Sequence, residues 1–410
     1  MSNETKNILF LTNLTLWSMG EGKGGRAFIN TVKGYKNAGW TIWLITSGGG
    51  VPGNLIDNDK LYETSHSILD KLWISKIRIL SVFARYIKMF LLNSFYIKKG
   101  KEVLKDNKET LFIIYAYEID AVYAAKRLSK AFNYPLITRF QGTIHNNTPD
   151  NFSNKIRKAP CLQAYKTAAD LTIMTNDGTQ GLETLKRYGN KSKEVLFWRN
   201  GVTTVPIETL KKREALRSQF CFEDEFTFLA VSRLVSWKKV DRAINAFLIV
   251  QKKYPHSRLV IIGDGDEKND LIKLTIKLGL DKKVYFLGAV EQNIVSSYMV
   301  AADAFLSFYD FSNVGNPLME SMMCGKPLIT LDVGDTGKII KNGINGVLLS
   351  QNDFDKIPNA MCKVIEDVEF SNKIANGALN FARNNFWSWD ERISSEIRKV
   401  ELLIKKPFIK

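Results

Sequence analysis

Short apolar runs, each too brief to be a helix and each followed by a helical stretch, recur along most of this 410-residue chain. Asn7–Asn13, Thr41–Thr46, Leu111–Tyr115, Leu136–Phe140, Leu171–Thr175 and Glu194–Phe197 form one series. Thr227–Ser232, Leu259–Gly263, Val284–Leu287 and Ala304–Phe308 form a second, with helical runs at Lys239–Lys253, Lys268–Leu280 and Gln292–Ala302 between them. Strand and helix in alternation call for a parallel sheet whose crossovers are the helices. A single hydrophobic core does not grow to this length, so two domains of about 200 residues each are expected. Pro206, in the stretch Val205–Glu208, marks the break between them. The expectation is an α/β protein of two doubly wound domains, 1–205 and 206–385, followed by a terminal segment, 386–410.

In an open parallel sheet, ligands bind beyond the carboxyl ends of the strands. In the first half that points to the polar turns Ala116–Asp120, Gln141–Asn147, Asn176–Thr179 and Arg199–Thr203, which are expected to line a cleft. In the second half the most informative stretch is Asp303–Leu328. The strand Ala304–Phe308 runs into a polar loop, Tyr309–Gly315, then a helix, and Gly325 leads into another apolar strand. Asn316 is a good N-cap, and Pro317 suits the first helical position, where a missing N–H costs nothing. The free amides of Leu318 and Met319 then face the loop, where an anion is favourably held. Glu320, one turn further on, offers a carboxylate to hydroxyls beside that anion. An anion next to a diol describes a nucleotide.

Other nucleotide signatures fail. Gly20, Gly22 and Gly25 match G-x-G-x-x-G, yet the second strand ends Thr46-Ser47-Gly48 with no acid to hold a ribose, and no Gly-Lys-Ser/Thr follows. A glycine turn that can approach a ligand closely is what remains. Asp264-Gly-Asp266 sits where a strand turns into a helix and reads as turn chemistry, not a metal site. The cysteines Cys161, Cys221, Cys324 and Cys362 lie far apart, with no C-x-x-C, as reduced thiols of a cytosolic protein do. Met1–Asn7 is polar, so no secretory signal is expected.

The net charge of +16 is uneven: +13 over 1–205 and +3 over 206–410. A basic first half implies an anionic partner. Asp70–Lys101 concentrates the effect, with Leu72, Trp73, Ile77, Leu80, Phe83, Ile87, Phe90 and Leu91 at helical spacing and lysines and arginines, Lys88 among them, interleaved. It is too charged to span a bilayer, which takes about 20 apolar residues. Such a helix lies on an anionic membrane surface, or packs its stripe on the sheet, or does both. No recognised nucleic-acid module accompanies the charge, and no nucleic-acid partner is expected.

Arg233-Leu234 with Lys238, Gly263-Asp264-Gly265, Phe286-Leu287-Gly288 and Gly315-x-Pro317-x-x-Glu320-x-x-x-x-Gly325-x-Pro327 form an ordered set. Together with Gly24-Gly25, Asn200-Gly201-Val202, Gly343-x-x-Gly346 and Phe386-Trp387-Ser388-Trp389, it resembles glycosyltransferase family 4, strongly over 226–350 and weakly over 50–130. The resemblance implies the GT-B fold, two Rossmann-like domains facing across a cleft, with the segment from 386 forming a helix that crosses back onto the first. It implies a retaining, metal-independent hexosyltransferase that needs no cofactor. Arg233 and Lys238 would clamp the diphosphate of a UDP- or GDP-sugar, placing fixed positive charge where the leaving group gains negative charge. Glu320 would take the ribose hydroxyls in charge-assisted bonds. Gly24, Gly25, Gly263, Leu287, Gly288, Gly315, Asn316, Pro317 and Leu318 would lie against the donor, and Tyr117, Gln141, Gly142 and Thr143 against the acceptor.

Two positions depart from the family pattern. The usual acid eight residues before Glu320 is Ser312, so a carboxylate is expected from Asp310 instead, with Asn313 and Asn316 holding sugar hydroxyls. The usual His-Gly after Leu136–Phe140 is Gln141-Gly142, and an amide cannot relay a proton at neutral pH. Retaining transfer in the family is generally described as front-face attack, with the leaving phosphate taking the acceptor's proton, so the chemistry does not require that histidine. The expected function is sugar transfer to a growing, lipid-linked glycan in cell-surface polysaccharide or glycoconjugate synthesis, at the cytoplasmic face of the membrane. A soluble sugar-phosphate acceptor, and a catalytically weak subunit that binds a glycan or a partner enzyme, are the alternatives.

Overall fold

The computed structural model describes residues 6–13, 25–47, 55–64, 78–108, 110–143, 152–205 and 207–404. They fall into two compact units. The first comprises the chain up to Asn176, Gln180–Asn200 and the segment from Trp389; the second comprises Asp177–Thr179 and Gly201–Ser388. The breaks thus lie at Asn200/Gly201 and Ser388/Trp389.

The first unit is built on β1 (Lys6–Thr12), β2 (Thr41–Ser47), β3 (Leu61–Thr64), β4 (Leu111–Tyr117), β5 (Leu136–Phe140), β6 (Leu171–Thr175) and β7 (Glu194–Trp198). Their order is β3-β2-β1-β4-β5-β6-β7, every pair parallel. Helices cover both faces, which is why the strands read as unbroken apolar runs. Ile8 and Phe10 pack with Tyr35 and Ile397 on one face, while Leu9 and Leu11 pack with Leu92 and Ala125 on the other. The edge strand β3 has no counterpart in the sequence reading, because Leu-Tyr-Glu-Thr is half-buried and barely apolar.

The second unit holds β8 (Phe226–Val231), β9 (Ser257–Ile262), β10 (Val284–Gly288), β11 (Ala304–Ser307), β12 (Leu328–Asp332) and β13 (Val347–Ser350), in the order β10-β9-β8-β11-β12-β13, again all parallel. In each sheet the chain winds outward from its first strand and then restarts on that strand's other side. The switch points lie between β1 and β4 and between β8 and β11. Crossovers leave such a point on opposite faces of the sheet, so the strand ends there are open to a ligand.

The amphipathic helix expected over Asp70–Lys101 spans Arg78–Asp106; Leu72, Trp73 and Ile77 lie outside the described residues. The expected stripe is not the packed face: Phe83 is 65% and Phe90 71% exposed, Leu91 is exposed and Ile87 half-buried, whereas Ala84, Leu92, Tyr96, Val103 and Leu104 are buried. Lys88, expected on the charged face, is buried. Among the described residues no helix is long and apolar enough to cross a membrane.

The helix Trp389–Ile404 belongs to the first unit. Phe386 to Ser388, expected to open this helix, precede it, and Phe386 sits in a core cluster of the second unit. The helix seats on Arg26–Asn37, where a Cβ on Gly34 would run into Ile393. Deeper lies Glu396, with Arg139 and Arg392, all three side chains 0% exposed. Tyr115 Oη donates to Glu396 Oε1 at 2.8 Å, and Oε2 accepts from Arg392 Nη1 at 2.9 Å and Arg139 Nη1 at 3.4 Å. Burial pushes the Glu396 carboxyl up, but the two guanidinium charges override it and hold the group below the usual range.

Candidate active site

In the second unit, β8 and β11 lie side by side, and the loop after β8 carries the cationic residues Arg233 and Lys238. Lys238 lies in the short turn Ser236–Lys238. Its ammonium is 3.6 Å from the ring centroid of Tyr309 and 4.2 Å from that of Trp237. Tyr309 is buried, its hydroxyl donating to the Val231 carbonyl at 3.1 Å, and the Arg233 guanidinium lies 5.8 Å from the Trp237 ring. Two ring faces attract the ammonium but keep water from it. Burial lowers the Lys238 pKa to about 7, Arg233 adds to the fall, and Asp177 opposes it. Lys238 is therefore about half-charged near neutrality.

Asp177 lies in the turn Asn176–Thr179 that the sequence points to, but the sequence did not single it out. Ser312 Oγ donates to its carbonyl at 2.7 Å, and the Asp335 amide donates to the Gly178 carbonyl at 3.0 Å. Gly178 is required here: its φ is +80°, and a Cβ would meet Ser312 Oγ. The Asp177 carboxylate accepts from the Thr179 amide at 3.1 Å and the Thr179 hydroxyl at 2.5 Å. Burial raises its pKa to about 6, against those bonds and the Lys238 charge. With 135 positions between Asp177 and Ser312, nothing in the linear pattern pairs them. Trp237 and Tyr309, 72 positions apart, were likewise not singled out as partners of Lys238.

Several expected donor contacts turn out to be structural. Asn313 is 0% exposed: its Oδ1 accepts from the Ser307 hydroxyl at 2.7 Å and the Tyr309 amide at 3.0 Å, and its Nδ2 donates to the Leu331 carbonyl at 3.0 Å. It shapes the loop from a fully buried position and is not presented to sugar hydroxyls. Asp310, expected as the replacement acid, is paired with Arg242 at 2.7 Å. Ser312 is buried, its Oγ also accepting from the Val314 amide at 3.1 Å. The helix Asn316–Met323 begins one residue early, with Gly315 as N-cap, Asn316 first and Pro317 next. The Met319 amide, expected to face an anion, donates to the Gly315 carbonyl at 3.2 Å; Leu318 is buried behind it. Glu320 is buried and accepts from the Gln292 side chain at 3.1 Å. Gly263, at φ +142°, lets its backbone pass against the Ser232 carbonyl, where a Cβ would collide. It braces the Arg233 loop, and its amide donates to the Gly288 carbonyl at 2.8 Å, beside Leu287.

In the first unit, Gly25 is the N-cap of Arg26–Asn37, and Gly24 lies outside the described residues. Tyr117 is the last residue of β4, not part of a turn; it is 1% exposed and packs on Phe28 and the Arg139 guanidinium. It belongs to the core and does not face an acceptor. Thr143 is buried, accepting from the Tyr165 hydroxyl at 3.2 Å. Gln141 and Gly142 follow β5, and the Gln141 amide donates to Glu118 Oε1 at 2.9 Å. Glu118, which the sequence did not single out, has φ +72°, a conformation that costs a non-glycine residue about 1–3 kcal/mol and persists where surrounding structure enforces it.

Residues 211–381, which hold Arg233, Lys238 and Glu320, match the family model described as glycosyl transferases group 1. An uncharacterized glycosyltransferase of Methanocaldococcus jannaschii is 30% identical over 68% of this chain and 72% of its own length. This chain belongs to the group 1 glycosyltransferases. The alpha-monoglucosyldiacylglycerol synthase of Acholeplasma laidlawii is also 30% identical, over 38% of each chain. This glycosyltransferase spans about half the length of some curated relatives, as with the 54% covered of a second Methanocaldococcus jannaschii protein. The crystal structure of Anabaena HepE with UDP and glucose superposes on 96% of this chain and 99% of its own, with a TM-score of 0.69 at 19% identity. The glycosyltransferase thus has the GT-B fold of two Rossmann-like, parallel-sheet domains.

Proposed function

We propose that this glycosyltransferase moves a hexosyl group from a UDP- or GDP-sugar, with retention of configuration as in family 4, to a lipid-linked glycan at the cytoplasmic face of a membrane. The observation that carries the donor half is the Lys238 ammonium, boxed by Trp237 and Tyr309 beside Arg233 at the β8/β11 switch point. As the bond from the anomeric carbon to the leaving phosphate breaks, negative charge grows on the diphosphate, and two fixed cations in a poorly hydrated site stabilise it strongly. The acceptor oxygen forms its bond to the anomeric carbon on the same face, and its proton passes to the leaving phosphate. In this reading Arg233 and Lys238 supply the charge, and no metal is needed.

The acceptor half rests on the first unit's surface. Exposed Phe90 lines a groove of about 730 Å³ that runs over Met89, Ile97 and Val122 to Lys126, Arg127 and Lys166, and exposed Phe83 lies on the same helix. A second groove of about 630 Å³ shares Ile97, Tyr123, Lys126 and Arg127 and adds Lys101 and Lys130. Exposed aromatics suit the acyl boundary of a bilayer, and each basic side chain near an anionic headgroup is worth about 1 kcal/mol. A second reading, a subunit that binds nucleotide or glycan without efficient turnover, draws on the loop after β11, where Asp310, Ser312 and Asn313 all have structural partners.

The test is a panel of UDP-, GDP- and ADP-sugars, following melting temperature and donor hydrolysis. Ligand at 100 times its Kd adds about 2.7 kcal/mol of stability. Stabilisation with hydrolysis supports the transferase, and stabilisation without hydrolysis supports the subunit. No response to any nucleotide refutes the transferase and leaves a subunit that binds a glycan. Co-sedimentation with anionic vesicles, weakened in Phe83→Ser/Phe90→Ser, tests the membrane half.

A further inference from the structure

Behind Gln141 runs a relay of polar side chains whose direction is set in the core. Arg139, on β5, is fixed by Thr31 and Glu396, which accept from its Nη1 at 2.6 and 3.4 Å. Its Nη2 donates to Asn200 Oδ1 at 3.2 Å. A guanidinium has donors only, so the Asn200 oxygen must face Arg139 and its Nδ2 must face away. That Nδ2 donates to Gln141 Oε1 at 3.0 Å. The Gln141 backbone is held by Glu118, and its Nε2 is buried with no partner among the described residues. A buried donor without a partner is uncommon in a native structure and calls for an explanation. The site sits beyond the end of β5, beside the strained Glu118, where the open sheet admits a ligand.

We propose that Arg139 and Asn200 are positioning residues that lock the Gln141 side chain with its NH₂ directed outward, as a hydrogen-bond donor to an oxygen of the sugar substrate. The relay stands on the geometry alone; its consequence for turnover rests on the transferase reading. Because Glu396 comes from the helix Trp389–Ile404, that helix helps to set the polarity of a binding group it does not touch.

Asn200→Asp changes one atom of consequence. The Arg139 bond keeps its oxygen acceptor, but the donor toward Gln141 becomes a second oxygen, so Gln141 must flip and present its carbonyl outward. The chain has seven glutamines, so selective ¹⁵N-glutamine labelling resolves their side-chain amides, and Gln141→Glu assigns the one at 141 by its loss. In Asn200→Asp that resonance should shift downfield as its NH₂ meets a carboxylate; an unmoved resonance overturns the relay. In kinetics with UDP-glucose, measured as hydrolysis and as transfer to octyl glucoside, Asn200→Asp and Gln141→Glu should both lower turnover by about tenfold or more. The melting shift given by UDP should be retained. Loss in transfer alone assigns the oxygen to the acceptor, and equal loss in hydrolysis assigns it to the donor sugar. Asn200→Ala, which drops the Arg139 bond but leaves Gln141 able to rotate, should fall less; the reverse ranking means Asn200 only holds the fold and overturns the proposal. A wild-type protein that turns over no nucleotide-sugar sinks the transferase reading, while the amide spectrum still decides the relay.

Discussion

The pKa of Lys238 near 7 makes donor affinity depend steeply on pH in a range where few side chains titrate. The diphosphate requires the ammonium, and the free protein carries it fully only below that pKa, which burial beside Arg233 has brought down from 10.5. Affinity should therefore be flat in mild acid and fall tenfold per unit above pH 7, until the pH reaches the higher pKa of the bound state. Between pH 6.5 and 8.5 the loss works out at about 25-fold, or about 1.9 kcal/mol. UDP-glucose is the right probe, because its diphosphate does not titrate in this window. Calorimetry in two buffers of different ionisation enthalpy should also show uptake of nearly one proton per site at pH 8.5. In Lys238→Arg, whose guanidinium stays charged, the profile should be flat across the same range. Wild-type affinity constant within twofold from pH 6.5 to 8.5, with no proton uptake, would refute the reasoning.

Asp177→Asn should raise stability near neutrality and not in acid. The native pKa of about 6 exceeds the ordinary 3.8, so the folded protein holds a proton that the unfolded chain releases, and ionising Asp177 costs up to about 3 kcal/mol at pH 7. Urea melts at pH 7 should show the gain and melts at pH 3.5 should not; the variant should also move the affinity profile of Lys238 to lower pH, since an attractive neighbour is gone. Glu396→Gln leaves Arg139 and Arg392 buried without a counter-charge and should cost about 3–5 kcal/mol in chemical denaturation, whereas a loss below 1 would mean that water reaches the cluster. Ser312→Asp restores an acid at that position but sets a carboxylate against the Asp177 carbonyl; it should destabilise by about 1–3 kcal/mol and not raise activity, and a more active, equally stable variant would show that the loop rearranges.

The alternation of apolar runs and helical stretches determined the parallel sheets by itself, since a strand buried on both faces leaves its mark locally, residue by residue. Leu136–Phe140 and Leu171–Thr175 emerge with the bounds the sequence implies, and Arg233 and Lys238 stand beyond the end of β8, where the end of the preceding apolar run put them. The edge strand β3 was invisible, because a half-buried edge needs little apolar surface. The state of each polar group was invisible too. Whether Asp310, Asn313 or Tyr117 faces a ligand depends on whether something distant occupies it first, and Arg242, Leu331 and Arg139 do. Asp177 reaches Ser312, and Glu396 reaches Arg139, across separations of 135 and 257 positions. Local pattern reports burial because burial is set by period and composition. Hydrogen-bond occupancy, desolvation and the pKa values that follow arise only when the folded chain brings remote groups within a few ångströms.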